Sequence, residues 1–262
     1  MNNRANDLDG KQWLKYSFSI WRDVAKTKDE KNLNHPAMFP IALTSRLMEI
    51  FSKKSETILD PFLGSGTTIL SAYILGRKGI GIELSKKYIN LTKKRLKELS
   101  RSISKDVHNP KILNINSLHT KKFIKKNSVD LVITSPPYWN ILNENRSADY
   151  KKIKKYSEKE EDLGNIGDYK FFLEKLKSVF SNIHEFLKKD KYCIVIVMDI
   201  RKKSQFYPLH MDLVRKMEEI GFTLDDIIIW DRQAEYNNMR PLGYPYVFRI
   251  NKVHEFILIF KK

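Results

Sequence analysis

From residue 57 onward the chain alternates short apolar runs with amphipathic stretches, and this alternation limits the possible folds more than any other feature. The runs 57–60, 78–84, 111–116, 129–135, 192–199, 223–230 and 254–260 have the length of strands and are rich in Ile, Leu and Val. Between them, 67–76, 85–99, 169–189 and 209–221 place apolar residues at helical spacing, with Gly76 and Gly221 as stop signals. Strands alternating with helices predict an α/β fold, a mostly parallel sheet covered on both faces. In such sheets ligands bind beyond the carboxyl ends of the strands.

The 262 residues suit one domain, 1–262, and 42% apolar content suits a packed core. Three segments stand apart from the alternation. Residues 1–34 form an arm whose Trp13, Tyr16, Phe18 and Trp21 imply packing against something. The stretches 139–167 and 231–253 predict long loops, and loops of that length in a compact domain are usually functional. Cys193 is the only cysteine, so no internal disulfide forms, and its apolar strand makes it a small core residue. The polar first residues and the short apolar runs predict a soluble, cytoplasmic protein with no membrane span.

The formal net charge is +17, which attracts polyanions, with nucleic acid the default partner. Residues 84–126 alone carry 13 Lys or Arg against 2 acids. Charge is not decisive by itself. Of the 48 basic residues, 36 are Lys, as drift in an AT-rich genome also produces. The six histidines show no metal-ligand spacing, so no metal is expected.

Two motifs carry chemistry. In DPFLGSGTT, Asp60 to Thr68, a strand ends in an acid and a Gly-x-Gly turn opens a helix. Such glycines let backbone approach a ligand, and the helix N-terminus offers free N–H groups. Glu83 ends the next strand, where an acid suits ribose hydroxyls. Position 69 is Ile, so the full dinucleotide fingerprint is absent and another nucleoside cofactor is favoured. In TSPPYWN, Thr134 to Asn140, two prolines end a strand and stiffen the backbone. That stiffness aims the Ser135 side chain and the Pro136 carbonyl at one point, with Tyr138 beside them as a flat face. Two acceptors and a ring suit an NH2 group on a planar base.

DPFLGSGTT and TSPPY together resemble the S-adenosylmethionine-dependent DNA amino-methyltransferases, which modify cytosine N4 or adenine N6. NHPAMFP (34–40) and the terminal HEFILIFKK are also similar to family segments, so the resemblance covers about 13–262. It implies a Rossmann-like S-adenosylmethionine methyltransferase fold with a mostly parallel seven-stranded sheet and helices on both faces. It implies that His35 and Pro36, with Asp60, Phe62, Gly64, Ser65, Gly66 and Thr67, hold the methionine side of the cofactor. Glu83 would hold the ribose, and Asn116 or Ser117 would lie near the adenine. Ser135, Pro136, Pro137 and Tyr138 would hold the target base. Ser rather than Asp at 135 is what the cytosine-N4 branch usually shows. Adenine N6 is the alternative, and an RNA base amine is a more remote one.

The implied reaction is direct methyl transfer to the exocyclic amine of a base flipped out of duplex DNA. The implied setting is the modification half of a restriction system, with a cognate endonuclease acting separately and the enzyme a monomer or homodimer. A recognition domain of ~80 residues does not fit in this length, taking typical domain sizes. The loop 231–253 is therefore the expected DNA reader, through Arg232, Tyr236, Arg240, Tyr244 and Arg249, with 139–167 closing over the base. Asp199, after the strand CIVIVM, could support the pocket floor. A non-enzymatic DNA-binding relic is the competing class, and the intact Ser-Pro-Pro-Tyr argues against it.

Overall fold

The structure is a computed structural model and describes residues 4–32, 38–103, 109–143, 161–236 and 241–262. The arm contributes α1 (Gly10–Tyr16), β1 (Ile20–Trp21) and α2 (Lys28–Asn32), followed by α3 (Ile41–Phe51). The alternating part then runs β2 (Thr57–Asp60), α4 (Thr67–Ile74), β3 (Lys78–Ile82), α5 (Lys86–Ser102), β4 (Lys111–Leu113) and β5 (Val129–Thr134). It continues with α6 (Tyr169–Phe186), β6 (Leu187–Val197), the hairpin β7 (Ile200–Lys202) and β8 (Gln205–Tyr207), α7 (Leu209–Glu218), β9 (Thr223–Asp231) and β10 (His254–Lys261). Among the described residues no helix is long and apolar enough to cross a membrane.

The main sheet has the order β1-β9-β10-β6-β5-β2-β3-β4. Only β10 runs against its neighbours; the other pairings are parallel. The sheet has eight strands rather than the expected seven. The extra one is β1 from the arm, which pairs in parallel with β9 through Ile20–Ile229 and Trp21–Trp230. Two residues lend no periodicity for a sequence reading to find.

The central strands are apolar on both faces because both faces are covered. Ile194, Ile196, Leu131, Ile133, Ile257 and Ile259 pack on one side with Leu43, Leu47 and Met48 of α3. Cys193, Val195, Val197, Val132, Leu258 and Phe260 pack on the other with Phe172, Leu176 and Phe180 of α6 and Leu213 of α7. The period of two along each strand produces this division. Each side chain so buried contributes about 1.5–3 kcal/mol before entropy is counted.

Local signals fix several ends. Asp9 and Gln12 close a capping box on α1, and Asp168 caps α6 by accepting from the Phe171 amide at 2.7 Å. The sequence predicts α6 through residue 189, but the helix stops at Phe186. Lys262 Nζ takes the carbonyls of His184 and Leu187, both at 2.6 Å, and Asp190 turns with φ +60°. α3 carries no sequence signal because Pro40 offers no capping side chain and much of the helix is buried.

The arm packs through two of its four aromatics. Trp21 is buried and Trp230 Nε1 donates to the Val24 carbonyl at 2.9 Å. The Arg46 guanidinium lies over the rings of Tyr16 and Trp21, at 4.6 and 4.8 Å, and grips Asp23 with both nitrogens. Trp13 and Phe18 remain exposed.

Candidate active site

The parallel strands β2, β3, β4 and β5 deliver Asp60, Glu83, Asn116 and Ser135 to one edge of the sheet. This is the carboxyl edge, where the sequence places its ligand. The turn after β2 is held from all sides. Asp60 Oδ1 accepts from the Phe62 amide at 3.0 Å and from Thr134 Oγ1 at 2.7 Å, and Oδ2 accepts from Thr68 Oγ1 at 2.6 Å. Gly64 N donates to Glu83 Oε2 at 2.8 Å, and Ser85 N to Glu83 Oε1 at 2.7 Å. Arg95 donates to the Ser65 carbonyl at 2.6 Å, and Ser117 Oγ donates to the Pro61 carbonyl.

These contacts show what several of the expected site residues do within the fold. Asp60 is buried and holds the turn together through the Phe62 amide and the Thr68 and Thr134 hydroxyls. Burial pushes its carboxyl up to about 6, against the lowering effect of Thr68, Thr134 and the Phe62 amide. Gly66 is required by packing. Its φ is +89°, and a Cβ there would lie 2.4 Å from Thr92 Cγ2 of α5. Phe62 is half-buried against the core, and Ser65 is buried. Thr67 is buried with its hydroxyl unpartnered at the first position of α4. Arg95, one of the 13 basic residues of 84–126, is buried and structural.

Asn116 caps the short 3-10 turn after β4 and donates to the Glu161 carbonyl at 3.0 Å. It borders a cavity of about 370 Å³ walled by Leu118, His119, Leu163, Ile166 and Phe171.

After β5, Pro136 is buried and Ser135, Pro137 and Tyr138 are half-buried. Ser135 Oγ donates to Tyr138 Oη at 3.0 Å, and Tyr138 Oη donates to Glu255 Oε2 at 2.7 Å. Burial and the Glu255 carboxylate hold the Tyr138 phenol well above its usual range. Trp139, expected in a loop, is buried with φ +51° and packs against Tyr169 and Tyr207 at 5.2 and 4.9 Å. Asn143 then donates to the Gly164 carbonyl at 2.9 Å, so the described parts of 139–167 are packed together. Residues 144–160 lie outside the described chain.

Arg232 is half-buried and paired within the fold. It pairs with Glu255 and Glu235 and lies over the rings of Trp230 and Tyr236, at 4.7 and 5.4 Å. Burial alone would lower the pKa of its guanidinium, but Glu255, Tyr236 and Glu235 outweigh that and raise it. Tyr244 is exposed and Arg249 half-buried. His35, Pro36 and Arg240 lie outside the described residues. Asp199 accepts from His210 at 2.6 Å, and His210 stacks on Phe256. Burial raises the Cys193 thiol, which keeps it unreactive in the core.

Sequence reasoning missed Glu255, which joins Tyr138 to Arg232. The available signal was a lone acid in the otherwise apolar run EFILIF.

Comparison with known proteins places the chain in a family. The chain matches the sequence model of the N6/N4 methylase family, described as DNA methylase, over residues 2–94 and 129–262. It is 35% identical over 118 residues to the Type II methyltransferase M.BglI of Bacillus subtilis, covering 45% of this chain and 33% of that protein. It is 42% identical over 89 residues to the Type II methyltransferase M2.LlaDCHI of Lactococcus lactis subsp. cremoris, covering 34% and 32%. The matches thus span about a third of the length of these curated relatives. Among solved structures, a SAM-dependent methyltransferase of Methanosarcina mazei superposes with TM-score 0.51 at 13% identity, covering 86% of this chain and 98% of that one. The precorrin 8W decarboxylase of Methanobacterium thermoautotrophicum gives 0.52 at 12%, covering 91% and 96%. At such identities the likeness is one of fold. The extent of the family match, and the placement of its two motifs on one sheet edge, show that the chain belongs to the N6/N4 DNA methylase family.

Proposed function

We propose that the protein is an S-adenosylmethionine-dependent DNA methyltransferase acting on the exocyclic N4 amine of cytosine in duplex DNA. The observation that carries this reading is the Thr134–Asp60 hydrogen bond, which fastens the Ser135-Pro136-Pro137-Tyr138 segment to the start of the Gly-x-Gly turn. A base held by the first lies beside a cofactor held by the second.

The residues fit S-adenosylmethionine. Thr67 Oγ1 is an unpartnered buried hydroxyl at the turn. Glu83, whose two oxygens already accept from Gly64 N and Ser85 N, has further lone pairs that suit ribose hydroxyls, and the apolar walls near Asn116 suit a flat purine. When bound, this cofactor supplies an electrophilic methyl group. The protein's own task is to prepare the amine, whose lone pair is delocalised into the ring. Ser135 Oγ and the Pro136 carbonyl accept its N–H bonds and favour a pyramidal nitrogen with its lone pair exposed. The half-buried ring of Tyr138 offers a face to the base, and stacking of ~1–3 kcal/mol offsets part of the few kcal/mol that flipping costs. Serine at 135 favours cytosine; adenine N6 is the alternative within the same family. We read residues 1–262 as one domain; that both core clusters pack on one sheet supports this. The basic balance of the chain suits duplex DNA, and a cognate endonuclease would act separately.

Incubation with S-adenosylmethionine and unmethylated phage DNA, followed by nucleoside mass spectrometry, tests the reading. N4-methylcytosine is expected, and its loss in Ser135→Ala. N6-methyladenine would transfer the same chemistry to the other base. No methylated base would overturn the proposal.

A further inference from the structure

We propose that Glu255, acting through Tyr138, fixes the direction of hydrogen bonding at Ser135 and so makes the site select a base bearing an amine over one bearing a carbonyl at the same position. This inference rests on the methyltransferase reading above and names the device that chooses its substrate.

The chain of contacts has one consistent polarity. Glu255 is buried on β10, and one of its carboxylate oxygens is taken by Arg232. Arg232 is itself held by Glu235, so the carboxylate cannot turn away. A carboxylate only accepts hydrogen bonds. Tyr138 Oη lies 2.7 Å from Glu255 Oε2 and 3.4 Å from the Ile196 carbonyl oxygen. Both neighbours are acceptors, so the single phenolic proton points toward them. Ser135 Oγ, 3.0 Å from the same phenol oxygen, must then donate. A serine hydroxyl has one proton, and here it is committed inward. Only lone pairs remain for a base.

Lone pairs suit the N–H of an amine. They repel the carbonyl oxygen that uracil carries in place of cytosine N4, or hypoxanthine in place of adenine N6. A site built to bond an N–H discriminates strongly against an analogue lacking it, because its own buried group is then left unpaired. Glu255 and Arg232 touch neither base nor cofactor in this account. They are positioning residues.

The test uses a duplex carrying the target base mapped by the methylation experiment and a second duplex carrying its deaminated counterpart. The ratio of their dissociation constants is compared between wild type and variants, so that differences in base pairing cancel. In Glu255→Gln, Arg232 draws the amide oxygen and turns the NH2 toward Tyr138. The Tyr138 proton then turns to the nearer acceptor, Ser135 Oγ at 3.0 Å rather than the Ile196 carbonyl at 3.4 Å, and Ser135 points its own proton at the base. The preference for the amine duplex is expected to fall about tenfold or more. Tyr138→Phe leaves the Glu255–Arg232 pair intact and frees the serine hydroxyl to rotate, so an intermediate ratio is expected. Variants that melt and bind S-adenosylmethionine like wild type but keep the wild-type ratio overturn the proposal. Should Glu255→Gln fail to fold, Tyr138→Phe decides alone. If wild type methylates no DNA, the underlying reading fails and takes the proposal with it; methylation with an unchanged ratio sinks the proposal only.

Discussion

Thr134 and Asp60 close the two strands at the centre of the sheet's carboxyl edge with a 2.7 Å hydrogen bond between their side chains. Asp60 is fully buried, and burial pushes its carboxyl to about 6 from the usual 3.8. The folded state therefore holds this proton more tightly than the unfolded chain. The associated stability is complete below about pH 4 and is lost as pH rises through 6. A shift of two units corresponds to about 3 kcal/mol. Asparagine at 60 keeps the acceptor for Thr134 and the Phe62 amide and lets the Thr68 hydroxyl rotate. Urea unfolding of wild type and Asp60→Asn from pH 4 to 7.5 should show wild type losing about 2–3 kcal/mol relative to the variant. A difference independent of pH would contradict the raised carboxyl.

Gly66 is limited twice, by its left-handed φ of +89° and by the 2.4 Å gap a Cβ would leave to Thr92. The conformation costs an alanine roughly 1–2 kcal/mol and the overlap more. Gly66→Ala should destabilise by about 2–4 kcal/mol and weaken S-adenosylmethionine binding in calorimetry. Thr92→Ala in the same chain removes the clashes with Cγ2 and Oγ1 but leaves the Thr92 Cβ 2.9 Å away and the backbone strain in place. Recovery of part of the lost stability, and only part, is the expected result.

The arm depends on Arg46, which is flanked by Tyr16 and Trp21 and bonded by two nitrogens to Asp23. The hydrogen bonds from Arg46 are the main influence holding the Asp23 carboxyl well below its usual range. A lysine has neither the planar fork nor the flat face. Arg46→Lys should cost about 1–2 kcal/mol and expose residues 4–32 to limited proteolysis. Unchanged proteolysis would mean that Trp21 and the β1–β9 pairing hold the arm alone.

The sequence made the sheet legible wherever burial on both faces demanded unbroken Ile and Val runs, as in β5, β6 and β10. The turn from Asp60 to Thr68 was legible because its glycines and acid occupy local positions. What stayed hidden depends on distant partners. The pairing of Arg232 inside the fold stayed hidden because its partner Glu255 lies 23 positions away. The burial of Arg95 stayed hidden for the same reason, because its partner is the Ser65 carbonyl on another element. Trp139 lies in a turn, as expected, and its burial stayed hidden because Tyr169 and Tyr207, which enclose it, follow after long intervals.

The connection from β9 to β10 leaves and rejoins the sheet at the same edge as Ser135, because β9 is parallel to the central strands and β10 antiparallel. Its outer part carries Tyr246 and Phe248 at 91% and 92% exposure, with Tyr244 at 78% and Arg249 close by. Rings this exposed gain little from the fold and gain from a partner that covers them. Stacking on bases contributes about 1–3 kcal/mol per ring, and an arginine on phosphate adds one unit of salt dependence. Phe248→Ala should therefore weaken binding to a duplex with the mapped target by roughly tenfold, with S-adenosylmethionine affinity unchanged. Arg249→Ala should flatten the dependence of affinity on salt by about one unit. Fluorescence anisotropy across a salt series separates the two effects. If Phe248→Ala binds DNA like wild type, the exposed rings serve some surface other than the duplex, and DNA reading moves to another part of the chain.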